Sequence, residues 1–305
     1  MAIETTSFYS SPYLAELYEL QWAGPNMTDV ELYAKAFMDA VTKNRTNHPV
    51  TFLELGTGSG RVILGVLKRM AEASYDTSNI KMIGLDNSQN MLDMAAKMET
   101  KTKGISPPVT WTLGDALELD QLPIFLPRAD EHTTVDFLTF PLSSIVHMVE
   151  DGQLERLLQQ IGKVLTPGTG RAYISLFNWF LIRPDDDLQA RKDDEVLPPP
   201  TGFPSAEFPS IQYHSEMKKS KYQGDLVIYR QEVQVFEQQD NCEKKEIERY
   251  YVTQTLRWFS ENALLAAVEA AGLQVVERRM ENTGIHDEES TDFVENIFIL
   301  KRCDC

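Results

Sequence analysis

The spacing of apolar residues changes character near residue 50. Upstream, Tyr13 to Leu20 and Asp29 to Lys43 carry apolar side chains at helical intervals, with Val30, Tyr33, Phe37 and Val41 on one face of the second segment. Two helices are therefore expected to form an N-terminal cover over residues 1–45. From Val50 the pattern becomes short apolar runs at Val50 to Leu55, Lys81 to Leu85, Val109 to Leu113, Thr134 to Phe140 and Arg171 to Phe177. Helical stretches separate them, and buried strands alternating with helices predict a doubly wound parallel sheet of the Rossmann-like α/β class, with its core at 46–178.

Pro184 to Pro209 breaks the rhythm with two acidic runs, Asp185 to Asp187 and Asp193 to Glu195, and three consecutive prolines, Pro198 to Pro200. Such composition predicts an exposed loop or lid. Asp225 to Glu237 and Glu246 to Phe259 then alternate in polarity, which predicts a long antiparallel strand pair inserted within 179–255 and available as a homodimer surface. In the C-terminal part, 256–305, Ser260 and Gly272 bracket a helix from Glu261 to Ala271 as N-cap and C′ residue. Gln274 to Arg278 and Asn296 to Leu300 bring the expected sheet to seven strands.

Chemistry concentrates where the first core strand ends, in Phe52-Leu53-Glu54-Leu55-Gly56-Thr57-Gly58-Ser59-Gly60. The three glycines let the chain turn sharply and approach a ligand closely. Their G-x-G-x-G spacing differs from the G-x-G-x-x-G of nicotinamide and flavin enzymes, and no Lys-Ser/Thr pair follows to make a phosphate loop, so a pyrophosphate is not the expected ligand. The next strand ends in Gly84-Leu85-Asp86, placing a carboxylate to accept from both hydroxyls of a ribose. The third ends in Leu113-Gly114-Asp115-Ala116, where the Asp115 carboxylate can accept from an adenine amino group and the Ala116 amide can donate to the ring. Three strand ends thus converge on one crevice, where open α/β sheets bind their ligands.

With Asp86-Asn87-Ser88-Gln89-Asn90-Met91-Leu92 and the strand-preceding Leu165-Thr166-Pro167-Gly168-Thr169-Gly170 added, the chain resembles the class I methyltransferases that use S-adenosylmethionine (SAM) over almost its whole length. The resemblance implies SAM as cofactor. Gly56, Thr57, Gly58 and Gly60 then border its amino-acid part, Asp86 and Asn87 its ribose, Met91 its adenine, and Gly114, Asp115 and Ala116 the adenine edge. Glu54 would orient the loop and the cofactor's ammonium, directly or through water, and Phe140 with Pro141 would lie beside the methyl.

Methyl transfer from a sulfonium is a one-step displacement, so the protein must align a lone pair, exclude water and remove a proton. No metal is required. The segment Phe140-Pro141-Leu142-Ser143-Ser144-Ile145-Val146-His147-Met148, together with Tyr9 to Leu20, Trp179-Phe180 and Leu256-Arg257-Trp258-Phe259-Ser260, is similar to the amino-sugar N-methyltransferases of antibiotic biosynthesis and their small-molecule relatives. By that likeness Tyr9 stands near the cofactor and is a candidate catalytic residue, with Tyr13 or Tyr18 as alternatives. His147 is the candidate base or substrate-orienting group. Tyr13, Tyr18, Ser143, Trp179, Phe180, Tyr229 and Arg257 complete the expected substrate wall, although cross-strand pairing on a solvated sheet explains Tyr229, Arg230, Arg249, Tyr251 and Arg257 as well. The insert is longer and more acidic than in the sugar enzymes, which leaves the sugar open as a substrate.

Charge narrows the partners. A net charge of −17 repels polyphosphates, so nucleic acid is not expected as substrate. No apolar run has the length of a membrane span, and Met1 to Ser11 lacks a signal-peptide pattern, so the expected setting is the cytosol and the Asn26 and Asn44 sequons carry no meaning there. Cys242, Cys303 and Cys305 are too few for a disulfide framework or a zinc site. The expected activity is SAM-dependent methylation of a small-molecule acceptor, at the nitrogen of an amine or amino-acid-derived metabolite. O-methylation of a hydroxyl or carboxyl, a SAM-binding enzyme catalysing a non-methylating step such as cyclisation, and a non-catalytic module dimerising through the insert are the alternatives.

Overall fold

The computed structural model describes residues 2–22, 28–43, 48–102, 104–126, 133–184, 186, 189, 192, 197–239, 243–282 and 294–303. Strand β1 (Ala2–Thr5) precedes helices α1 (Pro12–Trp22) and α2 (Asp29–Lys43). The core then runs β2 (Val50–Leu55), α3 (Arg61–Glu72), β3 (Ile80–Asp86), α4 (Gln89–Lys101), β4 (Val109–Leu113), β5 (Phe137–Phe140), α5 (Gln153–Val164) and β6 (Arg171–Phe177). After it come β7 (Leu181–Ile182), β8 (Thr201–Pro204), β9 (Ile211–Gln223), β10 (Leu226–Gln238), β11 (Lys244–Arg257), β12 (Phe259–Ser260), α6 (Glu261–Ala270), β13 (Leu273–Asn282) and β14 (Val294–Arg302).

Seven strands form the main sheet in the order β13-β14-β6-β5-β2-β3-β4. β2 to β6 are parallel, whereas β14 runs antiparallel to β6 and β13 antiparallel to β14. All six residues of β2 are buried, as a central strand covered on both faces requires. One face packs under α2 and α3, where Phe37, Phe52, Phe137 and Tyr173 form a chain of ring contacts. The other receives α5 and α6 through Leu157, Leu158, Ile161, Leu264 and Val268. The strand order departs in opposite directions from β2, to β3 on one side and β5 on the other, so the crevice of the fold opens at the C-terminal ends of these strands.

The expected two-stranded insert is a five-stranded sheet, β1-β11-β10-β9-β8. β9 escapes the sequence pattern because Lys218, Lys219 and Lys221 crowd its second half, while its first half alternates with buried Ile211, Tyr213 and Ser215. β1 adds the N-terminus as a parallel edge strand beside β11. Part of the segment expected as a loop, Thr201–Pro204, is β8 and pairs with β9. Of its first acidic run only Asp186 is described, accepting from the Arg183 N–H at 2.7 Å. Asp193 to Glu195 lie outside the described residues, as do Asn26, Asn44, Cys242 and Cys305. Ser260 stands at the N-cap of α6, but its hydroxyl makes no capping bond. Among the described residues no helix is long and apolar enough to cross a membrane.

One face of the smaller sheet presents Tyr213, Val233, Val235, Tyr250 and Val252 to Leu14 and Leu17 of α1. Glu16 fastens this contact: its carboxylate accepts from the Ser205 hydroxyl, the N–H groups of Ala206 and Glu207, and the Tyr213 hydroxyl at 2.6 Å. Four donors compensate a carboxylate that is otherwise removed from water. Helix α1 and the smaller sheet therefore form one roof over the strand-end crevice.

Candidate active site

The glycine loop divides its labour. Gly56 and Gly58 have φ of 58° and 56°, a backbone shape that favours glycine, and a Cβ on either would stand 3.2 Å from Phe140 or from Met91 respectively. Gly60, also left-handed, is N-terminal to α3 and makes room for Trp111 instead: a Cβ there would lie 2.6 Å from the indole. Gly84 serves the same indole, so two of the glycines read from sequence are packing requirements. Gly60 does not line the cavity.

The carboxylates at the strand ends shape the loop. Glu54 Oε2 accepts from the Thr57 hydroxyl at 2.8 Å and from the Ile63 N–H at 3.1 Å, deep below the turn. Burial pushes its pKa up to about 8, against the lowering effect of those bonds and of Arg61. Asp86 takes the Gly58 N–H on one oxygen and the Ser88 N–H on the other, both at 2.9 Å. A carboxylate has about four lone-pair sites, so capacity remains for two hydroxyls. Asp115 caps the following 3-10 helix by accepting from the Leu117 N–H at 2.8 Å, and Ala116 opens that helix, where the backbone N–H has no intrahelical acceptor.

These groups line a cavity of about 290 Å³. Of the residues expected at the cofactor, Tyr9, Glu54, Gly56, Thr57, Gly58, Asp86, Asn87, Met91, Gly114, Asp115, Ala116, Phe140 and Pro141 border it. Their donor set fits a nucleoside: carboxylates with unfilled lone pairs at two strand ends and an open backbone N–H, with no lysine bordering the cavity among the described residues.

His147 stands at the far end. Between β5 and His147 the chain passes through two consecutive non-glycine residues in the left-handed region, Leu142 (φ 51°) and Ser143 (φ 55°). Such conformations cost about 1–3 kcal/mol each and persist where neighbours over-determine them. Here the Leu142 N–H donates to Glu295, the Ser143 N–H to Ser175, and the Ser143 hydroxyl receives the Phe177 N–H. Glu295 is fully buried and its pKa is raised to about 7, chiefly by desolvation. The turn carries His147 into the cavity wall, where the ring is open to the cavity and has no hydrogen-bond partner among the described residues. Surrounding protein disfavours its charged form and lowers its pKa, so the imidazole is neutral at ordinary pH.

Tyr9 and Tyr18 meet edge to face, with ring centroids 5.2 Å apart, and both border the cavity. Burial, then Tyr18 and Asp86, hold the Tyr9 pKa well above its ordinary value. Tyr9 therefore stays a phenol, able to orient a ligand. The N-terminal segment is clasped over this region by the Asn90 amide, which donates to the Tyr9 carbonyl at 2.8 Å.

Several expected wall residues sit elsewhere. Tyr13 packs on Phe208 and Tyr213 within the roof. Ser143 is consumed by the strained turn. Trp179 donates to the Tyr229 hydroxyl at 2.9 Å and meets Trp258 edge-on, joining the core beneath the smaller sheet, and Phe180 is buried in the same cluster. Arg257 pairs with Asp151 and Asp225. None of these borders the cavity. Residues that do, and that sequence reading passed over, are Thr6, Ser7, Glu19, Ser59, Arg61, Gln254 and Thr255. Arg61 makes a bidentate pair with buried Asp29, at 2.7 and 2.6 Å. Its position directly after the glycine loop was the available signal; Gln254 and Thr255 carried none.

Residues 52–168 match a family model described as a methyltransferase domain. The N-methyltransferase FrzE of a Cladobotryum species is 25% identical over 282 residues, covering 90% of this chain and 93% of that protein. Among solved structures, an S-adenosylmethionine-dependent methyltransferase from Clostridium acetobutylicum superposes with a TM-score of 0.60 at 13% identity, over 96% of this chain and 98% of that one. SAM-bound CalS10, an amino pentose methyltransferase from Micromonospora echinaspora, gives 0.57 at 14% identity over 94% and 96%. These two likenesses are of fold.

Proposed function

The chain is a SAM-dependent methyltransferase, and we propose that it methylates the nitrogen of a small amine. The observation that carries this reading is the charge distribution of the cavity. Glu19, Asp86 and Asp115 face it, whereas Arg61 is the one lysine or arginine bordering it among the described residues, and Arg61 is bound to Asp29. A carboxylate acceptor would enter an acidic site with no cation to receive it. An amine is attracted by the same field. The Cladobotryum relative is named an N-methyltransferase, which agrees with this choice.

Bound SAM supplies a methyl group on a positively charged sulfur. Asp86, with two lone-pair sites open, would hold its ribose, Asp115 and Ala116 would meet its adenine, and Phe140 and Pro141 would stand beside its methyl. On the acceptor side Gln254 and Thr255, from β11 of the roof, present an amide and a hydroxyl, and neither side chain of Gln254 nor of His147 is bonded elsewhere among the described residues. Neutral His147 accepts the proton that the amine must release, and α1 with the smaller sheet keeps water out while the lone pair is aligned.

The reading is tested with methyl-labelled SAM and a library of paired compounds, each amine matched by the carboxylic acid of the same skeleton, with products separated by mass spectrometry. Label on nitrogen in amine members is the expected result. Label on carboxyl oxygen, with the amines untouched, would replace the reading with O-methylation.

A further inference from the structure

Resting on the SAM reading, we propose that Glu19 of α1, together with Ser59, receives the α-ammonium of the cofactor's amino-acid part. Among the described residues four carboxyl groups border the cavity, and three have work already. Glu54 holds the loop through Thr57 and Ile63, Asp86 is engaged by Gly58 and Ser88, and Asp115 caps the 3-10 helix through Leu117. Glu19 is different: it reaches down from the roof to the glycine loop and borders the cavity beside Ser59. The nearest cation, Arg61, has both guanidinium nitrogens on Asp29.

A carboxylate removed from bulk water without its own cation is unfavourable unless something charged arrives. Desolvation accordingly raises the Glu19 pKa, against the lowering effects of Ser59 and Arg61. A ligand ammonium beside Gly56 and Gly58 would meet this carboxylate, restore its charged form and add a charge-assisted hydrogen bond. Glu54 was the residue expected for this task, but it lies beneath the turn, 1% exposed, with its outer contacts spent on the loop. Because α1 also carries Glu16 and Leu17 into the smaller sheet, the ammonium would join the roof to the glycine loop.

The test compares native protein and Glu19→Gln by calorimetry with three probes. S-adenosylhomocysteine (SAH) carries ammonium and carboxylate, decarboxylated SAH keeps only the ammonium, and 5′-methylthioadenosine has neither. Glu19→Gln is expected to bind SAH and decarboxylated SAH about tenfold more weakly or worse, the scale of a hydrogen bond to a charged group, with methylthioadenosine affinity held within about twofold. That unchanged third affinity also reports an intact fold. Equal weakening of all three would make Glu19 a structural tie of α1, and unchanged SAH binding would remove it from the site; either overturns the assignment. Native protein that bound none of the probes would overturn the cofactor reading and this assignment with it.

Discussion

Asp86→Ala is expected to weaken binding of SAH and of 5′-methylthioadenosine by roughly 10- to 100-fold, corresponding to about 1.5–3 kcal/mol for bonds to a charged acceptor. Both probes carry the ribose, so both should suffer, in contrast to the selective loss predicted for Glu19→Gln. Two effects act together. The ribose hydroxyls lose their acceptor, and the N–H groups of Gly58 and Ser88 lose theirs, which loosens the turn bordering the cofactor's other end. Asp86→Asn separates these effects, since its amide oxygen can still accept one backbone bond while the charge is gone. Calorimetry on the three proteins should rank native above asparagine above alanine. Native-like affinity in the alanine variant would remove Asp86 from the ribose.

His147→Asn is expected to leave SAH affinity unchanged and reduce methyl transfer by about 10²-fold or more, the usual scale of acid-base assistance. The pH profile decides whether the ring takes a proton. Desolvation by the cavity wall lowers the imidazole pKa below its ordinary value, so the proton-accepting form is fully present above that lowered pKa and lost as pH falls through it. In native protein kcat should therefore decline on the acid side, and the limb belonging to His147 should be missing from the asparagine variant. A second limb from the amine's own titration belongs to kcat/KM and should survive in both. A loss confined to KM, with superimposable kcat profiles, would leave His147 an orienting group.

Much of this arrangement was legible because it depends on local sequence. The parallel strands announced themselves as unbroken apolar runs, since both faces are covered, and the helix predicted from Asp29 to Lys43 has those bounds. Loop residues Gly56 and Gly58, and Asp86 and Asp115 at strand ends, stand at the cavity because strand ends place their own side chains. What escaped depends on long-range packing. Gly60 looked like a ligand glycine but is a space for Trp111, a partner fifty residues away. Trp179, Tyr229 and Arg257 have the chemistry of a substrate wall, yet satisfy one another or nearby carboxylates instead. Gln254 reaches the cavity because β11 lies across the strand ends, a placement that its own alternating pattern does not encode. The smaller sheet has five strands rather than two because β1 and β8, of four residues each, carry little pattern of their own, and the lysines of β9 mask its alternation.

The most direct test of the whole account is a crystal structure of the protein with SAH. It should place the ribose hydroxyls on Asp86, the adenine edge on Asp115 and the Ala116 N–H, the amino-acid part along Gly56 and Gly58, and the sulfur facing the space bounded by Phe140, Pro141 and His147. An adenosine lying elsewhere, or one reversed so that its base meets Glu19 and its sulfur points away from His147, would contradict it.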